Sequence, residues 1–308
     1  MINMRQTFSK VVTDIALNDP SVVVLVADIS HGIFNDFRQK INGRYFNMGI
    51  CEPSIVNLAA GLNKVGLNPV VHTIAPFLIE RSYEQIKLDF GYQNLNVNLV
   101  SVGGSFDYSK LGCSHHCYED AAILKHFERC QIFLPGSNKE FEILFKQHYK
   151  DNKINYFRIT EYPHDIKLNF NSKKREYCYK IKDGDDLTLV VVGNQLRNVC
   201  KAAEILETNY KINAEIIYFN ALKPFQFEIF NASIKKTSKF LCVEELSKSG
   251  GLYEECLKSL SKISTKKIIK SDQIAINDFI YDYGSYAELC KVSGLDVENI
   301  VIKSKKLI

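Results

Sequence analysis

Short apolar runs of strand length alternate with helical spacing along most of the 308 residues, and this alternation constrains the fold more than any other feature. In the first part of the chain the strand-like runs cover residues 22–27, 69–73, 97–102 and 131–134. Residues 52–65, 77–90 and 118–127, which lie between them, carry apolar side chains at helical intervals. Strands joined by helices in this way build a parallel sheet covered on both faces. The expected fold is therefore α/β, with two doubly wound, mostly parallel-sheet domains. The first is expected over residues 1–165 and the second over 187–308. The polar stretch 166–186, with Asn-Phe-Asn-Ser-Lys-Lys-Arg-Glu at 169–176, is expected to link them. The second domain opens on Leu187-Thr-Leu-Val-Val-Val-Gly193 and continues with a helix near 196–207. Strands at 215–219 and 240–244 follow, then a helix after Gly250-Gly251. Gly193 serves a tight strand-to-helix turn as readily as a phosphate, so it marks no site by itself.

Length and composition exclude several classes. A chain of this length suits two domains, each with its own core. The formal charge of +4 is spread over mixed Lys, Arg, Asp and Glu rather than a basic block, which argues against a nucleic-acid partner. The longest apolar run, 22–27, is far too short to cross a membrane. Met1-Ile-Asn-Met-Arg has neither the apolar core nor the cleavage pattern of a secretory signal. The cysteines number nine and form no framework, as expected of a protein in the reducing cytoplasm.

The stretch Arg44-Tyr-Phe-Asn-Met-Gly-Ile-Cys-Glu52-Pro53 reads as a short strand running into a helix that opens on a carboxylate. Pro53 suits a first helical turn, where its missing N–H has no intrahelical partner. Ile55, Val56, Ala59, Ala60 and Leu62 continue the helical spacing, and Gly66 is placed to stop it. Glu52 thus sits at a strand-to-helix junction among residues that favour burial. A carboxylate with little water around it is suited to carrying protons. The same position would also suit a carboxylate that only interacts with a helix N-terminus.

Met48-Gly-Ile-Cys-Glu-Pro53, followed by Leu58-Ala-Ala-Gly-Leu62, resembles the pyrimidine-binding domain of transketolases, which are thiamine diphosphate enzymes. The resemblance continues through Thr73-Ile-Ala-Pro-Phe77-Leu-Ile-Glu-Arg81-Ser-Tyr-Glu-Gln-Ile86 and Leu111-Gly-Cys-Ser-His115-His116-Cys-Tyr-Glu119-Asp120. It covers essentially the whole chain, but only the C-terminal portion of a full-length transketolase. By resemblance, Glu52 is the acid that shares a proton with the cofactor's pyrimidine nitrogen N1′. Phe77 stacks on that ring, with Ile74 beside it, although Phe77 at the start of an apolar helix could equally be core. Asp28, at the carboxyl end of the strand-like run 22–27, resembles an aspartate near the cofactor and could otherwise cap the segment that follows. His115 resembles the histidine that polarises the substrate carbonyl, a task suited to a group titrating near working pH. Cys113, His116 and Cys117 lie too close together for a common zinc set and no second cluster completes one, so no metal site is expected on this chain.

Three positions depart from the usual transketolase pattern: Leu111 stands for a hydroxyl-reading aspartate, Gly103 for a substrate-contacting histidine and Glu161 for a phosphate-gripping arginine. An anion at 161 repels a phosphate and removes its bidentate partner. Arg5 matches a second phosphate-reading position, or is a plain surface arginine, and Arg158 is close by in sequence to Glu161. The family's Gly-Asp-Gly motif, which holds Mg²⁺ and the diphosphate, has no counterpart, since Gly184-Asp-Asp lacks the second glycine. The resemblance therefore implies one subunit of a split transketolase, its partner an N-terminal subunit carrying the diphosphate- and Mg²⁺-binding domain. The expected assembly is α2β2 and the substrates are small sugars. The alternatives are a β subunit of a 2-oxo acid dehydrogenase, a deoxyxylulose phosphate synthase-like carboligase, and a non-catalytic scaffold. The dehydrogenase segment typically reads His-Ser-Gln where this chain has Ser114-His115-His116.

Overall fold

A computed structural model describes residues 2–170, 174–263 and 267–308. In chain order the strands are β1 (Val22–Val26), β2 (Tyr45–Asn47), β3 (Asn68–Ile74), β4 (Val97–Val102), β5 (Cys130–Phe133) and β6 (Ile154–Arg158). They continue as β7 (Cys178–Lys182), β8 (Leu187–Val192), β9 (Ala214–Phe219), β10 (Ala221–Lys223), β11 (Lys239–Ser247) and β12 (Lys270–Ile276). Among the described residues these form a seven-stranded sheet, ordered β10-β5-β6-β4-β3-β1-β2, and a five-stranded sheet, ordered β12-β11-β8-β9-β7. Both are parallel except for their antiparallel edges, β10 on β5 and β7 on β9. The fold is the expected α/β arrangement of two doubly wound sheets.

Local chemistry accounts for the elements that matter to the site. The first helix, Met4–Asn18, starts in a capping box: Asn3 accepts from the Gln6 N–H while Gln6 accepts from the Asn3 N–H. It lays Met4, Phe8, Val11 and Val12 on the sheet. The helix Glu52–Lys64 has Pro53 in its first turn and buries Ile55, Val56, Ala59 and Ala60. It stops where Gly66 adopts φ +88°. There Gly66 N–H donates to the Asn63 carbonyl and Leu67 N–H to the Leu62 carbonyl, the paired bonds of a Schellman ending.

Several details differ from the sequence expectation. Instead of one helix over 77–90, wide π-type turns at Pro76–Glu80 and Ile86–Tyr92 flank the short Tyr83–Gln85. The stretch expected as a linker contains β7, because Cys178–Lys182 completes the hydrogen bonding of the β9 edge. Residues 171–173 of that stretch lie outside the described residues. Strand β10, from the second half of the chain, pairs with β5 of the first sheet. The core is shared as well: one apolar cluster joins Val23, Leu25, Ile55 and Val56 to Val190, Ile217 and Phe240. Among the described residues, no helix is long and apolar enough to cross a membrane.

Candidate active site

The sheet order reverses at β1, which lies between β2 and β3. Connections leaving β1 and β2 diverge there, opening a crevice at the carboxyl ends of the strands. The candidate residues follow those ends in turn: Asp28 after β1, Glu52 after β2, Phe77 after β3, His115 after β4 and Glu161 after β6. Ile74 closes β3 and is half-buried.

Glu52 is only 2% exposed, and its Oε2 accepts from Arg81 Nη1 at 2.8 Å. The Arg81 guanidinium carbon lies 4.2 Å from the centroid of the Phe77 ring. Phe77 meets the His115 imidazole edge-to-face at 5.3 Å between centroids. Glu52, Arg81, Phe77 and His115 thus form one continuous row of contacts. His115 is half-buried, with Nδ1 3.0 Å from Ser114 Oγ and the Tyr108 ring 6.4 Å away. Sequence reasoning gives neither Arg81 nor Tyr108 a role. Arg81 carries one sequence signal, its place four residues after Phe77.

Asp28 is not a helix cap. Its Oδ1 accepts from Asn47 Nδ2 at 3.1 Å, and its own N–H donates to Asn47 Oδ1 at 2.9 Å. Asp28 and Ser30 both adopt left-handed φ, +51° and +60°, so this loop is held against its backbone preference. His72, fully buried on β3, contributes to holding it: Nε2 is 2.9 Å from Ser30 Oγ and Nδ1 is 2.7 Å from the Val100 carbonyl. Burial lowers the His72 pKa to about 4, so the ring is neutral and fits a donor at Nδ1 with an acceptor at Nε2.

Arg5, Tyr108, Ser109, Lys110, Leu111 and Glu161 line a cleft of about 290 Å³ next to this row. Arg5 Nε lies 2.9 Å from Glu161 Oε1, so the cation that matches a phosphate-reading position is already paired. Leu111 is 52% exposed and offers the cleft an apolar surface. Arg158 is elsewhere. It is 10% exposed, donates to Asp120 Oδ1 at 3.0 Å and to the Glu245 carbonyl at 3.0 Å, and is committed to the interior. Its sequence proximity to Glu161 misleads because neighbours on a strand point to opposite faces. The Tyr108 ring packs against Gly103, which has φ +73°, and takes the space any side chain at 103 would need. Asp107 supports the far wall by accepting from Thr160 Oγ1 and Glu161 N–H, both at 2.9 Å. Burial, with the Glu245 carboxylate nearby, pushes the Asp107 pKa up to about 8.

The residues present fit half of a thiamine diphosphate site. A buried carboxylate beside an accessible aromatic face suits an aminopyrimidine ring. Among the described residues, no group of three His, Cys, Asp or Glu could hold a metal ion. His116 and Cys117 are buried, whereas Cys113 is exposed. Gly184 packs against the backbone of Ala214 and Glu215, and the N–H groups of Asp185 and Asp186 donate to the Asn213 carbonyl. That turn is tied to its own sheet rather than open to a diphosphate.

Comparisons with known proteins agree with this geometry. Residues 1–162 match the transketolase pyrimidine binding domain and 176–300 the transketolase C-terminal domain. One of the two subunits of the apulose-4-phosphate transketolase of Phocaeicola vulgatus is 26% identical, over 97% of this chain and 96% of its own length. A 1-deoxy-D-xylulose-5-phosphate synthase of Clostridium perfringens is 30% identical, but this chain spans only 48% of it. A solved structure described as a split gene transketolase, inactive beta4 tetramer, superposes with a TM-score of 0.87 at 27% identity and covers 100% of this chain. The chain belongs to the transketolase family and carries its pyrimidine-binding and C-terminal domains.

Proposed function

We propose that this chain is the pyrimidine-binding subunit of a two-chain, cytoplasmic transketolase that moves a two-carbon ketol unit between small sugars. In this reading an N-terminal partner chain supplies the diphosphate- and Mg²⁺-binding domain, and the assembly is α2β2. The carrying observation is the row Glu52–Arg81–Phe77–His115 at the switch point of a fold that supplies no metal or diphosphate ligands among its described residues. Two similarities support the division of labour. This chain matches a transketolase subunit almost end to end, and the split transketolase structure formed by β chains is described as inactive.

Thiamine diphosphate, when bound, supplies the nucleophilic carbon and the electron sink for the carbanion. Glu52 shares a proton with pyrimidine N1′, and burial keeps water from competing for it. Phe77 presents its ring face. His115 donates to the substrate carbonyl oxygen and returns the proton later. Asp28 and Ile74 line the cofactor's approach. Glu161 and Leu111 face the remote end of the acceptor, where the Arg5–Glu161 pair favours a neutral, hydroxyl-bearing group over a phosphate.

The deoxyxylulose phosphate synthase relative favours a second reading, carboligation of pyruvate with an aldehyde. Reconstitution with a chain carrying the diphosphate domain separates the two. Glycolaldehyde transfer from a ketose donor is expected; carbon dioxide release from pyruvate would select the carboligase. Tight, Mg²⁺-dependent cofactor binding by this chain alone, read by calorimetry, would overturn the two-chain division.

A further inference from the structure

The two groups assigned to the pyrimidine ring are both engaged by one side chain of this protein. Arg81 Nη1 donates to Glu52 Oε2 at 2.8 Å, and the same guanidinium covers the Phe77 ring at 4.2 Å. A guanidinium and a 4-aminopyrimidine share the properties that matter here: both are flat, both stack on an aromatic face and both carry N–H donors at the edge. The backbone beneath Arg81 is fixed. Its N–H donates to the Pro76 carbonyl at 3.0 Å, closing the wide turn, and Ser82 Oγ donates to the Phe77 carbonyl at 3.1 Å. The side chain is less constrained, being 44% exposed where Glu52 is 2% exposed. It can therefore swing into water while the carboxylate stays behind.

We propose that Arg81 is the gate of the pyrimidine seat: its guanidinium holds Glu52 and covers Phe77 in direct competition with the cofactor's ring, and swings out when the ring enters. The proposal rests on the assignment of Glu52 and Phe77 to the pyrimidine. In the closed arrangement Arg81 supplies the countercharge that a buried carboxylate needs. In the open arrangement the ring's own donors take over, so Glu52 is never left without a partner. An arginine with only a structural role would behave differently. Its loss would lower stability and leave pyrimidine affinity unchanged or weaker, whereas loss of a competitor lowers stability and strengthens affinity.

The test uses the full chain and thiamine, which carries the pyrimidine without the diphosphate. Ligand-observed NMR titrations compare wild type, Arg81→Ala and Arg81→Gln, with melting temperatures measured alongside. Arg81→Ala is expected to melt lower than wild type and bind thiamine about tenfold more tightly, the size of one charge-assisted contact. Arg81→Gln keeps a donor for Glu52 but loses the charge and the stacking plane. It preserves the test if the alanine variant does not fold, and is expected to gain about threefold. A folded variant that binds thiamine no more tightly than wild type overturns the gate. Adding Phe77→Ala to Arg81→Gln locates the failure. If that change abolishes binding, the seat is real and only the gate is wrong; if it changes nothing, the seat assignment falls as well.

Discussion

Glu52 pairs deep burial with a countercharge that is itself largely in water, so substitutions on the two sides of the pair have different consequences. Glu52→Gln keeps the shape and can still meet a ring nitrogen, but it cannot carry a proton. In the reconstituted enzyme, exchange of the cofactor C2 proton is expected to slow by about 10²–10⁴-fold or more, since positioned acid–base help is worth that much. Deuterium exchange followed by NMR measures it, and a near-normal rate would move the role to another residue. The Arg5–Glu161 pair offers a second test at this scale. Glu161→Gln releases Arg5 and removes an anion from the cleft. Catalytic efficiency with a phosphorylated acceptor is then expected to rise about tenfold relative to the free sugar, which corresponds to one charge-assisted hydrogen bond of roughly 1.5–3 kcal/mol. A panel of phosphorylated, free and nucleotide-linked sugars reads this out. Unchanged ratios would show that Glu161 does not set the preference.

Among the elements, β3 and the loop after β1 depend on each other. His72 ties Ser30 to the β4 carbonyl of Val100 and steadies a loop with two left-handed non-glycine residues. Its folded pKa of about 4 lies below the ordinary 6.5, so between those values the unfolded chain binds a proton that the folded one refuses. Stability from this group is complete above pH 6.5 and is lost as pH falls toward 4. The loss amounts to about 3 kcal/mol at most, at 1.36 kcal/mol per unit. Urea unfolding at pH 7 and near pH 4 should show a smaller acid loss in His72→Phe than in wild type. Equal slopes would place the acid sensitivity elsewhere. The strand pattern was legible in the sequence because parallel strands buried on both faces are continuously apolar, as Val22–Val26 is. The wide turns at Pro76–Glu80 and Ile86–Tyr92 were not, since their apolar spacing still approximates that of a helix.

For the whole molecule, the decisive fact is that the two sheets share a core. Strand β10 closes the β5 edge, and a single apolar cluster runs from Val23 and Ile55 to Val190 and Phe240. A fragment ending at residue 165 would expose both the edge and that apolar wall, and open edges of this kind invite aggregation. The fragment is expected to lack a cooperative melting transition and to aggregate, while the full chain melts in one transition. Calorimetry and sedimentation measure both. A monomeric, cooperatively folded fragment would show that the shared core is dispensable.

Sequence alone determined what depends on near neighbours: the α/β alternation, the helix opening at Glu52-Pro53, its stop at Gly66, and the placement of Asp28, Glu52 and Phe77 at strand ends. These follow from burial period and from which residues can occupy a helix terminus or a left-handed turn, both of which are local physics. Tertiary structure decided where the long side chains go. Arg158 turned inward to Asp120, Arg5 met Glu161, Arg81 closed over Glu52 and Phe77, and Tyr108 filled the space beside Gly103. A flexible cation pairs with whichever anion the fold brings within a few ångströms, however distant in sequence, and the period of a strand or helix carries no record of that choice.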